Sequence, residues 1–146
     1  MKSSQYHYQN RVWQKSNSLP DADIIGCTTS GEIIDTEVFD ETMVVNELTF
    51  EHTETQCRSI NLDDFASFDA AISSLAESLP FEHLKHVLVI SDGQNVNGTD
   101  LAEKLMTELP PKVTISGGLA GDGDRFNETI VWHNDKISAK QIVLCG

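Results

Sequence analysis

At 146 residues the chain is long enough for one domain, which at this size buries about 68–70% of the surface its unfolded form exposes. Ten basic residues against 23 acidic ones give a net charge of −13; a polyanion gains nothing from counterion release on a phosphate backbone, which excludes nucleic acid and anionic membrane as natural partners. No apolar run approaches the ~18–20 residues of a membrane span, and "MKSSQYHYQNRVW" lacks the apolar core of a secretory signal, so the expected compartment is the cytoplasm.

In chain order, residues 6–16 read as a short helix that "KSNSLPDAD" breaks. A strand over 23–26 runs into "IIGCTTSGEI", where two β-branched residues give way to glycines, a cysteine and three hydroxyls. An acidic connector, residues 35–41, leads to "TMVVNELTF" and "TQCRSINL", two strand-like runs that read as a hairpin joined by "EHTE". "SFDAAISSLAESLP" is the clearest helix: Phe68, Ala71, Ile72, Leu75, Ala76 and Leu79 share a face, Ser67 caps it and Pro80 stops it. "HVLVI" has the continuous apolar character of a strand buried on both faces. A second helix over 99–109 carries Leu101, Leu105 and Leu109 in a stripe and ends at Pro110–Pro111, before the short strand "VTIS". That strand–helix–strand unit predicts a right-handed parallel crossover. "ETIVWHN" and "KQIVLCG" are two further strands, with "DKIS" turning between them. The expected class is α/β: a mixed sheet with helices on at least one face.

Three loops then leave strand ends: the one after Gly26, "SDGQNVNG" after Ile90, and "SGGLAGDGD" after Ile115. The last two leave the same sheet edge if the crossover holds, and ligands in open α/β sheets sit beyond the carboxyl ends of the strands. Glycines let backbone N–H groups approach a guest, and hydroxyls offer donors and acceptors at short reach. The candidate binding residues are therefore Cys27, Thr28, Thr29, Ser30, Glu32, Asp92, Asn95, Asn97, Gly117, Gly118, Gly121 and Asp122. Asp92 either accepts from a ligand amine or caps the turn that follows; Asn95 and Asn97 either add amides or shape their loop.

Several sharper chemistries fail on spacing. No Gly-Lys-Ser/Thr phosphate loop, no G-x-G-x-x-G and no G-x-S-x-G elbow is present. "DGDRFNE" puts Phe126 and Asn127 where a calcium loop needs an oxygen ligand and a glycine, so Arg125 reads as an ion-pair partner of the neighbouring acids. The three cysteines, Cys27, Cys57 and Cys145, form no CxxC and no zinc-type spacing, and no metal ligand set is expected. Cys27 as a nucleophile needs a base and a depressed pKa, and no motif places a histidine beside it. His83 and His86 read as solvated, and His52 and His133 as surface or satisfied residues. No catalytic residue is assigned.

"IIGCTTSGEI", "VLVISDG" and "SGGLAGDG" followed by "ETIVWHN" stand in the order seen in the FIST domain, and the chain resembles the N-terminal part of that family from about residue 12 to 146. The Gly-Cys-Thr-Thr-Ser-Gly-Glu run is the most specific part of the match. The resemblance implies a sensory domain of bacterial signalling proteins that binds a small molecule such as an amino acid and drives a kinase, cyclase or chemoreceptor module. It implies no enzyme. Some relatives are described as haem-containing nitric oxide sensors, which makes haem sensing an alternative and hydrolase or transferase chemistry at Cys27 another. Family members begin with a strand before the first helix and continue into a C-terminal partner domain. Neither is visible here, so the expectation is an incomplete single domain, 1–146, with an unpaired sheet edge open to that domain or to a homodimer.

Overall fold

The structure, a computed structural model, describes residues 22–146; the helix expected over 6–16 lies outside them. Nine strands and two α-helices are assigned among the described residues. They are β1 (Ile25–Cys27), β2 (Glu32–Ile34), β3 (Glu37–Phe39), β4 (Cys57–Asn61), α1 (Phe68–Glu77), β5 (His86–Ser91), α2 (Gly98–Glu108), β6 (Thr114–Leu119), β7 (Val131–His133), β8 (Lys136–Ser138) and β9 (Gln141–Cys145). None of the described helices is long and apolar enough to cross a membrane.

Both helices form where periodicity predicts them, α1 at its expected cap and α2 behind Asn97, a cap where the sequence predicts a loop residue. Ser67 accepts from the Ala70 N–H at 3.2 Å to start α1, and Ile72 and Leu75 on its apolar face are fully buried. Asn97 starts α2 by accepting from the N–H groups of Thr99 and Asp100 at 2.8 and 3.3 Å, and Leu101, Leu105 and Leu109 lie in the core. Burying a side chain such as Leu105 is worth roughly 1.5–3 kcal/mol. Ser73 in the middle of α1 donates to Glu108 at the end of α2 at 2.8 Å, tying the two helices together.

The main sheet has the order β4-β9-β5-β6. β5 and β6 are parallel, as the crossover through α2 requires, and β9 runs antiparallel to both β4 and β5. Alternation along the strands separates two cores. Val87, Val89, Ile142 and Leu144 face the helices with Ile72, Leu75 and Leu105. Val143, with Ile90 and Cys145, faces a second, three-stranded sheet of order β1-β7-β8 through Val131, Ile25 and Cys27. The molecule is thus α/β, a mixed sheet between a helix layer and a smaller antiparallel sheet. The strand most fully buried on both faces is the central β9; in β5, Leu88 and Ile90 are only half covered. Trp132 is buried and lays its indole over Gly26, its register partner, so it serves packing.

Three local expectations change. Residues 42–50 form no strand, and β4 pairs with β9, far along the chain, instead of with that run. The supposed acidic connector contains β3, which closes a hairpin with β2 through a turn at Asp35, a residue in the left-handed region at φ 56°. "DKIS" is more than a turn: Lys136–Ser138 is the strand β8, paired with β7.

Candidate functional site

The loop after β1, the loop after β5 and the loop after β6 meet at one corner, and hydrogen bonds lock them together. Thr28 donates its N–H to the Ile130 carbonyl at 2.9 Å, while its Oγ1 accepts from the Ile130 N–H at 3.1 Å. The Thr28 carbonyl accepts from the Gly121 N–H at 3.0 Å. Ser30 Oγ accepts from the Gly123 N–H at 3.1 Å, and Gly121 is pressed against Ser30 so closely that a Cβ there has no room. Ala120 donates to the Ser91 carbonyl at 2.7 Å.

Asp92 is the hub of this corner and is fully buried. Its Oδ1 accepts from the N–H groups of Gln94 and Asn95 at 2.7 and 2.8 Å and from the Thr129 hydroxyl at 2.8 Å. Its Oδ2 accepts from the Lys140 N–H at 2.6 Å and the Asn95 side-chain amide at 3.0 Å. Burial is the largest influence on this carboxyl and pushes its pKa up. The N–H groups of Asn95 and Lys140, the Asn95 amide and the Gln94 N–H together outweigh burial and hold it below the usual carboxylate range. Of the two roles open to Asp92, the geometry is that of the turn-capping one, extended across the chain to residues 129 and 140.

The other sequence candidates divide by exposure. Asn97 caps α2. Asp122 pairs with Arg125 Nε at 2.8 Å and accepts from the N–H groups of Asn127 and Glu128. Burial pulls its pKa up, but those three donors prevail and lower it. Glu32 accepts from the Thr29 hydroxyl and, at 2.7 Å, from the Thr42 hydroxyl; the Thr29 contact is the main cause of its lowered pKa. Gly117 and Gly118 sit within β6, opposite Val89 and Ile90, before the loop begins. Gly117 has φ 151° and lies against the Val89 carbonyl, whereas the space over Gly118 is open. Cys27 is half buried against the inter-sheet core, and that burial raises its thiol pKa, the reverse of what a nucleophile needs.

A hollow lies elsewhere, between the end of β4 and β8. It measures about 430 Å³ and is lined by Ser59, Ile60, Asn61, Asp64, Phe65, Lys136, Ile137, Ser138 and Gln141. That volume is in the range of small-ligand pockets, ~300–1,000 Å³. Its polar wall is preset: Asn61 Nδ2 donates to Ser138 Oγ and to the Ala139 carbonyl at 3.1 and 3.0 Å, and Ser138 donates to Gln141 Oε1 at 2.9 Å. The wall is coupled to the loop corner, because Asp92 donates its own N–H to the Gln141 carbonyl at 3.0 Å and accepts from Lys140. No motif announced these residues; they come from two distant segments, 59–65 and 136–141, with ordinary spacing.

The described histidines do not suit haem. His52 and His83 are exposed, His86 turns its ring nitrogens to Thr114 and Ser116, and His133 faces Ser59 and Asp23. None of them lines the hollow.

Neither a curated protein nor a solved structure matches the chain. The family model of the FIST N domain matches residues 2–146, nearly the whole sequence. The chain therefore belongs to the FIST N domain family, a family of sensory domains in signal-transduction proteins.

Proposed function

We propose that the chain senses a small zwitterionic metabolite, an amino acid or close analogue, held in the hollow between β4 and β8. The observation that carries this reading is the chemistry of the lining, which combines the Lys136 ammonium, the Asp64 carboxylate and the apolar Phe65 and Ile137 around a hydroxyl-amide wall. An amino acid offers a carboxylate to the first, an ammonium to the second and a side chain to the apolar pair. Charge-assisted hydrogen bonds of this kind fix orientation as well as affinity. The twelve loop and strand-end residues singled out in the sequence supply the frame: Asp92 holds the Lys140–Gln141 wall to the Thr28–Gly121 corner, so a guest that shifts the wall also loads the corner. A signal to an output module needs only differential affinity between two arrangements of that frame.

A thermal-shift screen across amino acids and small metabolites tests the reading. A ligand at 100 times its Kd stabilises by ~2.7 kcal/mol. The shift is expected to vanish in Lys136→Ala and in Asp64→Ala. An amino-acid panel without effect, or a shift that survives both substitutions, overturns the assignment.

A further inference from the structure

The seam between the two sheets brings together three metal-ligating side chains that the sequence leaves far apart, Asp23, Cys57 and His133, and ties a fourth, Cys145, to them through a disulfide. Cys57 on β4 and Cys145 on β9 are register partners with Cα atoms 4.1 Å apart, and they form a disulfide. His133 on β7 and Asp23, just ahead of β1, reach the same point from the facing sheet. Ligand atoms of Asp23, Cys57 and His133 all lie within 4.8 Å of one another. Cys145 Sγ, bonded to Cys57 Sγ, completes a set of two sulfurs, an imidazole and a carboxylate.

The spacing fits one ion. His133 Nε2 stands 3.3 Å from Asp23 Oδ1, and two ligands at tetrahedral zinc bond lengths are about 3.3 Å apart. His133 Nδ1 lies 3.0 Å from Ser59 Oγ, the kind of outer contact that fixes the tautomer of a ligating imidazole. Asn134 Nδ2 donates to Asp23 at 3.2 Å and steadies the carboxylate. Cys57 is buried and the His133 side chain is only 13% exposed, so the centre is shielded while Asp23, at 37%, keeps a path to solvent. Thiolates with imidazole select zinc-class cations over calcium or magnesium.

We propose that when the Cys57–Cys145 disulfide is reduced, the two thiolates, His133 and Asp23 bind a zinc-class divalent cation, and that re-oxidation to the disulfide expels it. The two states exclude each other, because the same sulfur lone pairs make either the S–S bond or the metal bonds. With a low-molecular-weight disulfide as oxidant, the two thiolates lose two electrons and join. The oxidant's S–S bond accepts those electrons and two protons from solvent to give two thiols, and the cation leaves with its charge unchanged. In the reduced state the ion pins the three-stranded sheet to the main sheet; in the oxidised state the covalent link runs only between β4 and β9. A reducing compartment keeps such a cysteine pair as thiols.

Cobalt(II), added to the reduced 146-residue chain under anaerobic conditions, tests this. The expected result is stoichiometric binding with thiolate-to-cobalt charge transfer and the intense visible bands of a tetrahedral ion. Zinc displaces the cobalt, and oxidised glutathione releases it with loss of the bands. Cys57→Ser and Cys145→Ser each bring the charge-transfer band down to roughly the intensity of one thiolate, and the double variant loses it. His133→Gln and Asp23→Asn, which leave the cysteine pair intact and can be checked for folding in the oxidised form, bind roughly tenfold or more weakly. Cys27→Ser binds as wild type. The proposal is overturned if reduced wild type shows no thiolate–cobalt band, or if His133→Gln and Asp23→Asn bind as wild type does.

Discussion

Replacing Asp92 by asparagine changes one oxygen for an amide in a site where every surrounding group is a donor. The asparagine oxygen takes the Oδ1 position, where Gln94, Asn95 and Thr129 donate, and its NH₂ then meets the Lys140 N–H and the Asn95 amide, which donated to Oδ2. Two hydrogen bonds to a charged acceptor are lost, at ~1.5–3 kcal/mol each, for a total of roughly 3–6 kcal/mol. Asn95 is an exposed side chain that can turn to water, which favours the lower end. Against a typical stability of ~5–15 kcal/mol this is a large loss. Urea unfolding followed by tryptophan fluorescence reads it as a lower midpoint at an unchanged slope, by ~1–3 M for m near 1–3 kcal/mol/M. The pH dependence supplies an independent check. The folded-state pKa of Asp92 is depressed, so its contribution is fully present above the unfolded value of ~3.9 and is lost as pH falls through the folded value. The gap between wild type and Asp92→Asn is therefore constant near neutrality and closes in acid. A gap below ~1 kcal/mol at neutral pH, or one that persists unchanged in strong acid, refutes the account of Asp92 as the fastener of this corner.

The disulfide and the glycines of β6 give two further expected outcomes. The Cys57–Cys145 link closes a loop with a sequence separation of 88, for which the chain-entropy model gives ~4–5 kcal/mol; reduction in chelator-treated buffer is expected to lower the melting temperature clearly, and equal melting of reduced and oxidised protein contradicts this. Gly117→Ala meets both a left-sided φ of 151° and the Val89 carbonyl and is expected to cost ~2 kcal/mol or more, whereas Gly118→Ala enters open space and stays within ~0.5 kcal/mol; similar chemical-denaturation midpoints for the two variants refute the distinction.

Periodicity and punctuation determined α1, α2 and β5 without help from the rest of the chain. Ser67, Pro80 and the Leu101–Leu105–Leu109 stripe act on neighbours three or four residues away, and such signals survive in any surroundings. The small-residue loops were legible for a similar reason, since the Thr28–Ser30 run after β1 and Gly121 and Gly123 after β6 are unusual choices at a strand end. Tertiary structure decided which strands are neighbours. The β2–β3 hairpin was hidden because Ile33, Ile34, Val38 and Phe39 are exposed and show no inward face, and β8 because three residues carry too little pattern. The pairing of β4 with β9 placed Cys57 opposite Cys145, the packing of the two sheets brought His133 and Asp23 to them, and the approach of residues 129 and 140 filled out the contacts of Asp92. Those meetings depend on register between segments separated by scores of residues, where a slip of a single position turns every side chain to the other face.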